Sequence, residues 1–410
     1  MTAKSKKFRI GTYFAICFLM FFVYISIPQE EPVERLILEN ADLASGETTE
    51  QNQRVLILTG KVRFHQGEAV LKCNKALQFV DEERTLLTGN VSIIDEVKQM
   101  YGDTIDYNEK TQFAIAQGHV KLIDSTKTLT GDFLKYYQDQ EKVVVDSNVT
   151  LFDNKESSSL AGSHAEYYRN TGYALVTGQP VFTQTDTSSN LTLTIRGKIM
   201  EMFNDGDSIK VTDQVHITRG EINAKCGKLL YVKKDEQVIL NDTPYAFQKN
   251  DHLMGARIVL EMKNNEVKRI LVNKDAIVVS RVDSLIQTRI PYDLLTGESI
   301  QVGVKDDEID TVTVQGRATS YYHLVEKKQE KGINKILCDE LLMVFADGKV
   351  INVTGSSAPG LSTGVFFPPE SREKIESELT EVLLKMQKTI EAKQFPALQI
   401  NLPAPEQHNK

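Results

Sequence analysis

The chain repeats itself at a fixed period, and that period limits its possible folds more than any other feature. LTGNVSIID at 87–95 is answered by AQGHVKLID at 116–124, and YGDTIDYNEK at 101–110 by TGDFLKYYQDQEK at 130–142. The offset is 29 residues from Gly89 to Gly118, and again from Gly102 to Gly131. A period of this size marks a chain built by stacking copies of one supersecondary unit. Two marks trace the copies. A turn residue two before an apolar one falls at Gly60, Gly89, Gly118, Ser147, Gly178, Asp213 and Asp242, then more loosely at Lys274, Gly316 and Gly355. A small residue three before an apolar one falls at Cys73, Gly102, Gly131, Gly162, Gly197, Cys226, Gly255, Gly297 and Cys338. The array covers 54–357 and loosens after Gly255.

Each copy has strand chemistry. Val62, Val91, Val120 and Val149 follow the first mark by two residues, and Phe64, Ile93, Leu122 and Leu151 by four. Arg63, Ser92, Lys121 and Thr150 lie between them, so the alternation has period two. The pattern returns after the second mark as Ile105/Tyr107 and Leu134/Tyr136. Polar runs such as DEER at 81 and DQEK at 139 supply turns. The reading is all-β, a long rolled antiparallel sheet of roughly 16 to 20 strands.

A sheet with one apolar face must bury it. Equivalent residues one period apart then stack, and the roll is either packed solid or left with an apolar slot. The inward set mixes Ala, Met, Tyr and medium aliphatics, and the chain has no Trp, which favours an incompletely filled interior. The candidate lining is Val62, Phe64, Val91, Ile93, Ile105, Tyr107, Val120, Leu122, Leu134, Tyr136, Val149 and Leu151.

The N-terminus carries a second signal. A basic tail at 1–9 precedes the uncharged stretch Ile10–Ile27, about 27 Å of helix, enough to span a hydrocarbon core. Cations before it and Glu30, Glu31 and Glu34 after it put the N-terminus in the cytoplasm and the bulk of the chain outside. The run is long for a signal peptide and lacks an A-x-A-like exit, so an uncleaved anchor is expected. Residues 28–53 read as an acidic tether. The regular roll is expected at 54–245, with a continuation or second unit at 246–365. Val365–Pro369 is expected to stop the strands and to lead into a C-terminal helix at 366–395, then a tail at 396–410. Ile375, Leu379, Val382, Leu383, Met386 and Ile390 share one helical face, suited to covering the open end of the roll.

No catalytic constellation emerges. Cys73, Cys226 and Cys338 occupy the small-residue slot and act as small hydrophobes, while Cys17 lies in the membrane stretch. The seven histidines are scattered without metal-ligand spacing and are expected mostly to face solvent. The reading is therefore non-enzymatic, with no catalytic residue, metal or cofactor. A net charge of −8, with no basic cluster beyond the N-terminal tail, argues against nucleic acid.

LTGNVSIID…GDTIDYNEKTQFAIAQGHVKLID resembles the OstA/LptA-like repeats of Gram-negative lipopolysaccharide transport, and LKCNKALQFVDEERTLLTGNV fits the same template. The resemblance implies a β-jellyroll, or β-taco, whose slot holds the acyl chains of lipopolysaccharide. It also implies edge-strand pairing with other β-jellyroll transport proteins and with the inner-membrane ABC exporter. An anchored domain of this kind is similar to the exporter-associated LptC subunit. This chain is longer than either small member and ends in a helix, so bridge, exporter subunit and fusion of both stay open. The expected location is the inner membrane, single-pass, with most of the chain periplasmic. The competing reading is an anchored structural or adhesive stalk that displays its turns to protein partners; a solid core would favour it.

Overall fold

A computed structural model describes residues 36–392, apart from positions 51, 67, 97, 109, 112, 125, 138, 156, 187–189, 264–265, 283–291, 306–307, 328, 348 and 372. The expected tail at 1–9, membrane span at 10–27 and C-terminal tail at 396–410 lie outside these residues. Among the described residues, no helix is long and apolar enough to cross a membrane. The chain divides into two compact units, one ending at Asp213 and the other beginning at Gln214. The division does not fall at 245/246, and the looser spacing after Gly255 goes with longer strands, such as those at 308–326 and 329–346.

The N-terminal unit opens with β1 (Ile37–Asn40), β2 (Leu43–Thr48), β3 (Arg54–Gln66), β4 (Ala69–Phe79) and β5 (Arg84–Ile94). It continues with β6 (Lys98–Asn108), β7 (Phe113–Asp124), β8 (Lys127–Tyr137), β9 (Lys142–Asp153) and β10 (Ser158–Tyr168). Then come β11 (Tyr173–Thr177), β12 (Val181–Asp186), β13 (Leu191–Arg196) and β14 (Ile199–Phe203), before β15 (Ser208–Arg219) leads into the second unit. The C-terminal unit holds β16 (Ile222–Val232), β17 (Gln237–Asn241), β18 (Tyr245–Gln248), β19 (Asp251–Met254), β20 (Arg257–Lys263) and β21 (Glu266–Arg281). It ends with β22 (Tyr292–Lys305), β23 (Glu308–Glu326), β24 (Gln329–Ala346), β25 (Lys349–Ser356), β26 (Thr363–Phe367) and the helix α1 (Glu373–Ala392).

All pairings among the described residues are antiparallel, most of them between consecutive strands such as β4 with β5 and β8 with β9, and some between strands further apart, such as β10 with β12 and β11 with β14. The polar runs at 81 and 139 lie in the β4–β5 and β8–β9 connections. The first sequence mark proves not to be a turn. Gly60-Lys61, Gly89-Asn90, Gly118-His119 and Ser147-Asn148 are left-handed pairs in the middle of strands. At each, two residues oppose one on the neighbour, so the register shifts between Thr59 and Val62, for instance. This is a β-bulge, which bends the strand and sharpens its twist. Every long strand therefore crosses a crease. One half contributes to a first wall (84–88 of β5, 104–108 of β6) and the other half to a second (91–94 and 98–102). Where the crease interrupts pairing completely, as at Gly178-Gln179, one strand becomes two, so the described residues hold 26 strands rather than the expected 16 to 20.

Two further expectations are corrected. Within the expected tether, 37–40 and 43–48 are strands, and each pairs with β3. Their alternation is hidden because every residue of both is exposed. Val365–Phe367 does not stop the sheet; it belongs to β26, which pairs with β24. The prolines that follow it end the strand.

The C-terminal unit is closed by α1. Ile375, Leu379, Leu383, Met386 and Ile390 are fully buried against Tyr245, Met254, Ile277, Val279, Tyr292, Leu294, Tyr321 and Ile333. Val382, on the same face, is partly buried. The Tyr321 hydroxyl donates to Glu378 at 2.8 Å, and Lys335 forms an ion pair with the same carboxylate. A helix of 20 residues is about 30 Å long, close to the width of the strands it crosses at ~4.8 Å each.

Candidate functional site

Register turns the repeat into continuous cross-strand rows in the N-terminal unit. On the first wall, Leu87, Ile105, Ala116, Leu134, Val145, Ala165, Val176 and Met200 stand directly opposite one another, strand by strand. All are buried. The next row outward on that wall runs Tyr107, Ala114, Tyr136, Val143, Tyr167, Ala174 and Met202. The second wall carries Phe64, Leu71, Ile93, Met100, Leu122, Leu129, Leu151, Leu160 and Phe182. Val62, Val91, Val120 and Val149 sit beside the crease. The two inner faces are apolar because each strand alternates, and the crease folds them towards each other.

Between the walls lies a cavity of about 410 Å³. Six of the twelve candidates line it: Ile93, Leu122, Leu134, Tyr136, Val149 and Leu151. Five others, Val62, Phe64, Val91, Ile105 and Val120, are at most 2 % exposed and do not line it. Tyr107 is half-buried and also lies outside the lining. Sequence reasoning missed Met100, Leu129, Val143, Leu160, Tyr167, Met200 and Met202. It also missed the small residues Ala114, Ala165 and Ala174, which leave space where their row neighbours are tyrosines, valines or methionines. The signal for these was available in the same alternation, carried two strands further along.

The edges of the trough are polar. Glu141 and Arg169 line the cavity from the turns that end the first wall. On the second wall, one step outward from Leu129, Leu151, Leu160 and Phe182, stand Lys127, Asp153, Ser158 and Gln184. Ser158 Oγ and Gln184 Oε1 are buried without a hydrogen-bond partner. Burial lifts the Tyr136 hydroxyl above its ordinary range, so it remains a neutral donor inside the trough. An apolar interior with a polar margin suits an amphiphile: chains inward, head outward. Among the described residues, no group of three His, Cys, Asp or Glu could hold a metal ion. Cys73, Cys226 and Cys338 are buried and form no disulfide, and burial raises the Cys73 pKa to about 11. His323, expected at the surface, is instead buried and held by Asp293 at 2.9 Å.

Residues 33–177 match the family model of the OstA-like proteins. That stretch is an OstA-like domain. It holds the crease, both walls as far as β11 and most of the cavity lining. A crystal structure of LptH, the LptA-homologous periplasmic component of the lipopolysaccharide transport device of Pseudomonas aeruginosa, is also similar. The match has 12% identity and a TM-score of 0.21, and covers 35% of this chain and 82% of that one. No curated protein matches the chain.

Proposed function

We propose that the protein is a non-enzymatic carrier of lipopolysaccharide through the periplasm, towards the outer membrane. The observation that carries this reading is the apolar cavity between the two walls of the OstA-like domain. A saturated chain placed there avoids water, and each buried CH₂ contributes about 0.8 kcal/mol. A single cavity does not carry a lipid far. Movement requires the trough to be continued by neighbours and driven by an exporter that hydrolyses ATP.

The sheet margins suit such neighbours. β1 and β2 are exposed throughout, and Ile37, Leu38 and Leu43 carry apolar side chains into solvent there. At the other margin, β25 and β26 expose Ile351, Val365 and Phe366. A strand margin of this kind takes a further strand by augmentation, which favours partners that are themselves β-jellyroll proteins or the exporter. Residues 10–27 would anchor the chain in the inner membrane, as their length and flanking charges suggest. In the C-terminal unit the equivalent apolar face is already covered by α1, so the OstA-like domain is the acyl-chain site.

The test is photo-cross-linking of the full chain in cells, with the probe at Ile93, Leu122 or Leu151. Cross-links to lipopolysaccharide from these positions, and none from Lys121 or Thr150 on the outer face, are the expected result. Leu122→Asp should abolish the cross-link from Leu151 while the protein remains membrane-associated. Equal labelling from inner and outer probes would overturn the proposal.

A further inference from the structure

The outer face of the first wall carries a stripe that the trough does not explain. Phe113, Tyr137, Lys142, Tyr168, Tyr173 and Phe203 occupy successive strands in one row, all half-buried. Neighbouring rings touch: Phe113–Tyr137 at 4.8 Å between centroids, Tyr168–Tyr173 at 5.9 Å and Tyr173–Phe203 at 5.4 Å. Lys142 Nζ lies 4.8 Å over the Tyr168 ring. At ~4.8 Å per strand, the row extends about 24 Å.

Charged groups are interleaved with the rings, and two of them, Glu166 and Glu201, also line the cavity. The Tyr168 hydroxyl donates to Glu166 at 2.7 Å, and Lys142 pairs with the same carboxylate at 3.1 Å. The Tyr173 hydroxyl donates to Glu201 at 3.2 Å, and Lys210 pairs with Glu201 at 2.7 Å. These contacts narrow the choice of occupant. An acyl chain or an apolar helix laid on the row would strip water from two ion pairs without replacing it. A phosphate or nucleic-acid backbone needs free cations, whereas Lys142 and Lys210 already have carboxylate partners. A saccharide meets both halves of the surface. Its C–H faces, slightly positive, rest on the negative faces of aromatic rings. Its hydroxyls donate to Glu166 and Glu201 and accept from the lysines.

The row also lies on the far side of the lip that the cavity uses. Tyr136–Tyr137, Tyr167–Tyr168 and Met202–Phe203 are adjacent pairs in which the first residue lines the cavity and the second belongs to the outer row. We infer that this outer row is a saccharide-binding surface, which holds the sugar chain of an amphiphile folded over the lip. The saccharide's source rests on the lipid reading proposed above; the contact itself does not.

The probe is fully deacylated lipopolysaccharide oligosaccharide, titrated calorimetrically into the full chain in detergent. Binding is expected, with an affinity loss of about tenfold for the combined Tyr168→Ala and Tyr173→Ala substitutions. Tyr168→Phe with Tyr173→Phe keeps both rings and should retain most of the binding, which separates a lost platform from a disturbed sheet. If wild-type protein ignores the oligosaccharide while Leu122 still cross-links lipid, the inference fails and the lipid reading stands. If the oligosaccharide binds and the cross-link is absent, the stripe stands and the lipid reading fails. Equal binding by wild type and the double alanine variant overturns the assignment to these rings.

Discussion

Gly131 stands against Val145 with no room for a side chain: a Cβ added to the glycine would lie 2.5 Å from Val145 Cγ1. The same relation recurs between Gly162 and Val176, Gly197 and Val211, Gly255 and Val272, and Gly297 and Val314, at 2.5–2.6 Å. In the copies where Cys73 and Cys226 fill the slot, the corresponding position holds Leu87 and Leu240. Leucine branches one carbon further out than valine and leaves that space clear. Gly131→Cys should therefore destabilise the N-terminal unit by about 1–3 kcal/mol. Adding Val145→Leu should recover most of the loss. Denaturant unfolding of the two variants checks this, and a Gly131→Cys protein as stable as wild type would refute it.

The helix α1 makes a separate prediction. Leu383 is fully buried among the sheet residues of the C-terminal unit, so Leu383→Ala should cost about 2–5 kcal/mol. Glu378 lies nearer solvent, with a side chain 48% exposed, and Glu378→Ala should cost no more than about 1 kcal/mol despite losing Tyr321 and Lys335. The two are told apart by thermal unfolding together with binding of an apolar dye. Leu383→Ala should raise dye binding well below the unfolding temperature, and Glu378→Ala should not.

Acid should loosen the same unit. Burial lowers the His252 pKa to about 4, and its Nδ1 accepts the Tyr245 hydroxyl at 2.5 Å. The folded pKa lies below the unfolded value near 6.5, so the unfolded chain binds more protons between these limits. The contribution of neutral His252 is complete above about pH 6.5 and is lost as pH falls towards 4. After allowance for partial exposure it amounts to about 2 kcal/mol. Melting temperatures measured from pH 7 to 4.5 should fall less steeply in His252→Gln than in wild type. Parallel curves would remove His252 from the account.

Much of this was legible because the repeat is local. Period-two alternation placed all twelve candidates on the inner face, and the helical stripe from Ile375 to Ile390 was readable for the same reason. What the alternation does not encode is where the two walls diverge. Val91 and Val149 are equivalent in sequence, yet Val91 is packed and Val149 lines the cavity. The cavity beside Val149 is shared with small residues such as Ala165 and Ala174, brought in from later copies. The crease was misread for a different reason. Gly89-Asn90 and Gly118-His119 have turn composition, but a left-handed pair can equally sit inside a strand as a bulge. That α1 covers the sheet was legible from its stripe, but the residues that receive it were not, because Tyr245 and Leu379 come together across more than half of the unit.

Ala174 offers the most direct test of the cavity. It is 4% exposed, lines the space between the walls, and stands in register between Tyr167 and Met202. A larger side chain here grows into the cavity rather than into a packed neighbour, so the usual strain of overpacking is reduced. Ala174→Phe should leave the melting temperature nearly unchanged or raise it slightly, because an aromatic ring replaces empty volume. It should also reduce lipid cross-linking from Leu122 and Leu151 by about tenfold, since that requires only about 1.4 kcal/mol of lost binding. Ala116, fully buried and outside the cavity lining, provides the contrast. Ala116→Phe has no cavity to enter and should destabilise the fold. A stable Ala174→Phe protein that still cross-links lipid at the wild-type level would show that the chains lie somewhere other than between these walls.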